Sequence, residues 1–167
     1  MKNKIITNSL LCFILSIFTI LGKSQIKQVE LRATGLTCSM CSNAINKQLK
    51  SLSSVLDVKT DLNTNTFTVT LKSDNTLTPK VFKEKVEEAG FFVGMMVIVA
   101  DAAFVLNNPN TYIIGNSKKI SEGNLKYQVL DKGYLTNKEY AKQLKAQKQV
   151  PTFSDNNEDN YHLKIVM

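Results

Sequence analysis

Two cysteines, Cys38 and Cys41, stand three positions apart in "GLTCSMCSNAINKQLKSL", Gly35 to Leu52. Three kinds of chemistry are open to such a pair. A local disulfide would close a loop too short to gain much from constraining the unfolded chain. A thiol–disulfide couple would benefit from a helix amino terminus, which lowers a thiol's pKa by favouring the anion. A metal grip would use the thiolates as soft ligands, which select Cu(I), Hg(II) and similar ions over hard cations. The same helix terminus would then stabilise the negative charge of a bis-thiolate complex.

Neighbouring residues weigh on these readings. Thr78-Pro79 lies at a spacing that invites comparison with the cis-proline beside the cysteines of thioredoxin-like folds. In such a fold a strand follows the proline, whereas Pro79 here opens an amphipathic pattern, and no Trp precedes Cys38. A structural zinc needs four protein ligands, and the only histidine, His162, is far along the chain. Met40, between the cysteines, is expected to face solvent, and at least one of Met95 and Met96 to pack in a core. Ser, His and acidic residues form no convincing triad and no glycine-rich phosphate loop is present, so no enzyme is expected.

The elements that must position the cysteines follow from periodicity. "IKQVELRA", Ile26 to Ala33, alternates as a half-buried strand, and Thr34 to Leu36 form a turn. Cys41, Ile45, Leu49 and Leu52 then recur at helical spacing, with Thr37 placed as the N-cap. A strand begins at Val55, "NTNT" at Asn63 to Thr66 turns, and "TFTVTLK" alternates cleanly as the next strand. Thr78-Pro79 reads as a cap and first-turn proline. Phe82, Val86 and Ala89 line the helix that follows, Gly90 closes it, and "FFVGMMVIVA" reads as a buried strand. The order β-α-β-β-α-β over Ile26 to Ala100 is the split pattern of an α+β, ferredoxin-like sandwich, a four-stranded antiparallel sheet with both helices on one face.

Composition bounds the rest. At 167 residues and 43% hydrophobic, the chain can bury a core. Lys2 and Lys4 precede the apolar run "LLCFILSIFTIL" from Leu10 to Leu21, and Gly22, Lys23 and Ser24 lead into Gln25. That arrangement reads as a secretory signal peptide over residues 1–24, with an uncleaved membrane anchor as the alternative. Cys12 would leave with it, so Cys38 and Cys41 would be the mature cysteines. Removing three lysines lowers the formal net charge from +7 to +4. The charge is spread evenly with no basic–aromatic cluster, so no nucleic-acid partner is expected.

Residues 25–100 resemble the heavy-metal-associated domain, the module of copper chaperones, metal-transporting ATPase amino termini and periplasmic mercury-binding proteins. The resemblance rests on "GLTCSMC" at Gly35 to Cys41, the helix after it, and "EEAGF" at Glu87 to Phe91. It implies the ferredoxin-like fold and metal binding at Cys38 and Cys41. It also implies that Leu36, where the family usually has Met, packs beneath the metal loop, and that Phe91 takes a position from which a side chain shields it. Cu(I) is the first expectation for the ion, with Hg(II), Ag(I) or Zn(II) as the other ions considered. The partner expected is a metal-transporting membrane protein or another metal-binding protein.

From Asp101 onward the sequence resembles nothing familiar. "AAFVLNNPNTYIIG", "LKYQVLDKGYL" and "NYHLKIVM" read as strands, Thr136 to Gln147 as a short helix, and "VPTFSDNNEDN" as a polar loop. A compact β-rich module over residues 101–167 is expected, with a small barrel as one arrangement. Its soft ligands, His162 and Met167, are too few for a second copper site, so it is expected to act by shape. The whole reads as an exported, periplasmic protein that binds and passes on Cu(I) through Cys38 and Cys41. A periplasmic thiol–disulfide redox protein is the alternative. A third reading keeps the fold as an interaction platform with the cysteines mainly oxidised.

Overall fold

The structure is a computed structural model describing residues 25–115, 123–154 and 160–166. The segment expected to be a signal peptide, Cys12 and Met167 lie outside the described residues. Strands β1 (Ile26–Thr34), β2 (Val55–Asp61), β3 (Thr66–Leu71) and β4 (Phe92–Asp101) alternate with helices α1 (Ser39–Lys50) and α2 (Pro79–Glu88) in the expected order. They pair antiparallel in the spatial order β2-β3-β1-β4. This is the ferredoxin-like sandwich.

Strand alternation explains the burial. Val29, Leu31 and Ala33 of β1, and Phe67, Val69 and Leu71 of β3, are buried on one face of the sheet. Successive side chains point to opposite faces, so the intervening Glu30, Arg32, Thr66 and Thr68 fall on the other. Ile45 and Leu49 of α1 and Phe82 and Val86 of α2 complete this core at helical spacing. Asn46 Nδ2 donates to Thr60 Oγ1 over 2.9 Å, tying α1 to β2. Gly90, with φ +86°, ends α2 in the left-handed region, and Phe91 N–H donates back to Val86 O.

The carboxyl-terminal segment differs from its expectation in two ways. First, "AAFVLN", expected as the start of a strand, is helix α3 (Ala102–Asn107). Asp101 Oδ1 accepts from Phe104 N–H at 3.0 Å, and that side-chain cap outweighs the β-like composition behind it. The strand β5 is confined to Thr111–Ile113. Second, the segment's strands close no barrel of their own among the described residues. They continue the first sheet, giving the order β2-β3-β1-β4-β6-β7-β5 with β6 at Asn124–Val129 and β7 at Tyr161–Val166.

The join is made along β4. Its Val97–Asp101 half pairs antiparallel with β6, and Met95 forms an isolated bridge with Leu135. An edge that would otherwise present unpaired N–H and C=O groups is thereby covered. Tyr127, Val129 and Leu163 enter the same core as Ile98 and Met96. Leu130, Leu135, Tyr140 and Phe153 form a second small cluster under helix α4 (Asn137–Ala146). Lys83 of α2 adds a contact, its ammonium 5.6 Å from the centre of the Tyr134 ring.

Candidate metal centre

β1 ends at Thr34 and Gly35 turns the chain with φ +86°, a conformation that favours glycine. Leu36 packs against the core, pinning the loop from below, and Cys38 follows as the N-cap residue of α1. The sequence pointed to Thr37 for that position. The helix instead starts one residue later, and no side chain caps it. Cys38 carbonyl accepts from Cys41 N–H at 3.1 Å, closing the first turn around the pair.

The two Sγ atoms lie 3.1 Å apart. A disulfide would hold them at about 2.05 Å, so these are two free thiols in mutual hydrogen-bond contact. Hydrogen bonding from the Cys38 side chain, and then from the Thr37 backbone, holds the Cys41 thiol below its ordinary value. Cys38 is exposed and Cys41 partly so. Metal–thiolate bonds of about 2.3 Å, the length for zinc, would place two sulfurs about 4.6 Å apart in line with an ion. Side-chain rotation at the solvent-facing loop can supply that opening.

Other predicted residues fall around or away from the pair. Met40 is 81% exposed, and Met96 is buried while Met95 is half-buried. Met95 Sδ accepts from Arg32 at 3.5 Å, on the sheet face away from the core. Phe91 is partly buried against the core, near the backbone of Gly35, whereas its neighbour Phe92 is 69% exposed. His162 is not brought to the cysteines. It sits on β7, three strand positions from β1, which is about 14 Å across a sheet.

His162 anchors a polar cluster that sequence reading missed. Its Nδ1 lies 2.6 Å from Asp131 Oδ1, and its backbone N–H donates to Asp131 Oδ2 at 2.7 Å. Nε2 is 2.9 Å from Thr152 Oγ1. The imidazole is wholly buried, stacked on Tyr112 and edge-on to Phe153. Asp131 and His162 are 31 residues apart, and no local pattern could have paired them. No group of three or more His, Cys, Asp and Glu side chains suited to a metal occurs among the described residues.

The family described as the heavy-metal-associated domain matches residues 30–92, which hold both cysteines and α1. The chain carries a heavy-metal-associated domain. Over 65 residues it is 42% identical to a copper-transporting ATPase of Saccharomyces cerevisiae, a match covering 39% of this chain. The chain spans 6% of that ATPase's length. Among solved structures it matches the yeast copper transporter domain Ccc2a, studied in apo and Cu(I)-loaded states, at 42% identity. That match covers 39% of this chain and 88% of the other, with a TM-score of 0.36. The water-soluble region of the P-type ATPase CopA from Bacillus subtilis is 30% identical, with 43% of this chain and 47% of that one covered and a TM-score of 0.38. The family match runs from Glu30 in β1 through α1, β2, β3 and α2 and ends at Phe92, the first residue of β4.

Proposed function

We propose that the protein binds Cu(I) through Cys38 and Cys41 and passes it by ligand exchange to a metal-transporting membrane protein or another metal-binding protein. The observation that carries this reading is the pair of free thiols 3.1 Å apart at the exposed amino end of α1. Two soft anionic sulfurs suit a soft monovalent ion, and the helix amino terminus favours their negative charge. An open loop lets an incoming thiolate reach the ion before the outgoing one leaves. The copper named for the yeast ATPase, 42% identical over 65 residues, supports Cu(I) over Hg(II), Ag(I) or Zn(II). Export to the periplasm is part of the proposal and rests on Lys2, Lys4 and the apolar run Leu10 to Leu21.

A thiol–disulfide redox role is the second reading, favoured by the close sulfurs and the lowered Cys41 thiol. Pro79 argues against it. It occupies N1 of α2 and lines a cavity with Ile26, the first residue of β1, whereas Cys38 follows the last. A nine-residue strand separates these ends by roughly 30 Å. The deciding experiment is Cu(I) competition against a chromogenic chelator with reduced protein, beside an insulin-reduction assay. The proposal expects one Cu(I) per chain, lost in Cys38→Ser and in Cys41→Ser, and no reductase activity above free dithiol. Unchanged binding in either variant, or a Cys38-dependent catalytic rate, would overturn it.

A further inference from the structure

Helix α4 carries a row of lysines that the metal site does not use. Lys138, Lys142 and Lys145 are all exposed, and at 100° per residue they fall within roughly 60° of one another on the helix. Tyr140 and Leu144 face the other way, into the cluster with Phe153. The helix has one acidic residue, Glu139, and its carboxylate is held by the capping box, accepting from Thr136 Oγ1 at 2.7 Å. Like charges at i,i+3 and i,i+4 spacing oppose helix formation, whereas a merely solvated helix usually mixes the two signs. A partner's negative charge would relieve that repulsion.

Helix α4 also starts close to the metal loop. Its N-cap, Thr136, lies beside Gly94 at the metal-loop end of the domain. A Cβ at Gly94 would lie 2.5 Å from Thr34 Cγ2, so glycine lets Thr34 close over β4, and it would meet Thr136 Cγ2 at an ordinary contact distance of 3.5 Å. A groove of about 400 Å³ runs between the two parts, with Thr34, Phe92, Leu135, Thr136 and Asn137 in its lining and the exposed carboxylate of Glu87 also on it. Exposed Phe92 forms one wall, and Lys138 is the next residue after the other.

We propose that the Lys138–Lys142–Lys145 face of α4 docks an acidic protein surface, with Phe92 across the groove at the edge of the contact. This rests on the metal-transfer reading to the extent that the docked partner is the one exchanging the ion at Cys38 and Cys41. A protein is favoured over a lipid surface because α4 itself has no exposed large apolar residue and Phe92, across the groove, is a single one. Lysines alone contribute only about 1 kcal/mol each at an anionic membrane, and stable anchoring takes two signals.

The test titrates the isotope-labelled chain with a short glutamate-rich peptide, and separately with phosphatidylserine and phosphatidylcholine vesicles, following backbone amide shifts. The peptide is expected to shift α4 amides together with Thr34 and Phe92, more weakly as salt rises. A triple variant with Lys138→Glu, Lys142→Glu and Lys145→Glu should weaken binding at least tenfold, and the matching Lys→Gln variant should fall between. Cu(I) affinity should stay the same in both. Peptide shifts centred on Lys47, Lys50 or Lys80, equal binding by the variants, or vesicle binding without peptide binding would overturn the docking proposal. Loss of Cu(I) binding in the wild-type chain would instead overturn the metal reading while leaving peptide docking measurable.

Discussion

At the mouth of α1, Cys38 and Cys41 stand towards solvent with each other and the loop backbone as hydrogen-bond partners. Below Tyr112, Asp131 and His162 are sealed from solvent with both carboxylate oxygens and both ring nitrogens engaged. One sheet therefore holds two clusters of chemically capable side chains under opposite conditions. Exposure keeps both thiols within reach of solvent, at little cost in stability. Burial makes the Asp131–His162 pair useful only while complete, because an unpaired buried polar or charged group is costly. An Asp–His–Thr arrangement resembles catalytic geometry on paper. Here its hydrogen bonds fasten the end of β6, the start of β7 and the loop at Thr152 together.

Breaking the buried cluster should give the largest effect. Asp131→Ala leaves His162 without its partner and should destabilise the fold by about 3–5 kcal/mol in chemical denaturation. Cu(I) affinity of the remaining folded protein should stay within tenfold, since no ligand is lost. An equal loss of stability from Cys41→Ser would erase the contrast between the two clusters.

The boundary between the regions is the next place to press. Gly94→Ala should cost about 1–3 kcal/mol, because its Cβ forces the Thr34 side chain to move. Thr136→Ala removes the reciprocal capping box of α4 and should cost about 1 kcal/mol. Hydrogen exchange should localise the second change to α4 and leave β1 protected. Fraying that spreads to the cysteine loop would show the two regions to be more tightly coupled than their contacts imply.

The smallest effect concerns the thiols themselves. A folded-state pKa held below the unfolded one contributes stability above the unfolded value and loses it as pH falls through the folded value. For an exposed thiol that contribution is slight, so reactivity is the better readout. Alkylation of Cys41 should persist to lower pH than that of a free thiol, and Cys38→Ala should move its profile upward by removing the main hydrogen bond. Identical profiles would contradict the thiol contact.

The first half of the fold was legible because its signals are local. The alternation Phe67-Val69-Leu71, the spacing Ile45-Leu49 and the stop at Gly90 each specify an element within a few residues. The cysteine pair was legible for the same reason. The N-cap shifted by one residue because Thr37 and Cys38 both precede the helix, and composition alone favoured the threonine. The extension was less legible because what defines it is non-local. β6 was readable as a strand, but nothing in its pattern names β4 as its neighbour. Asp101 sits at the end of "FFVGMMVIVA", and its capping of α3 was hidden by the apolar "AAFVLN" that follows. His162 read as an ordinary strand residue until Asp131 and Thr152 were placed beside it.

In the proposed site two sulfurs from one helix mouth hold the ion, and the extension contributes none of the ligands. X-ray absorption at the copper edge, on the reduced chain loaded with one Cu(I), reads that ligand set. Two sulfurs at a single distance are expected around the copper, unchanged in His162→Ala once folding is verified. A nitrogen ligand with imidazole scattering, or a shell that keeps its sulfurs after Cys38→Ser and Cys41→Ser together, would contradict it.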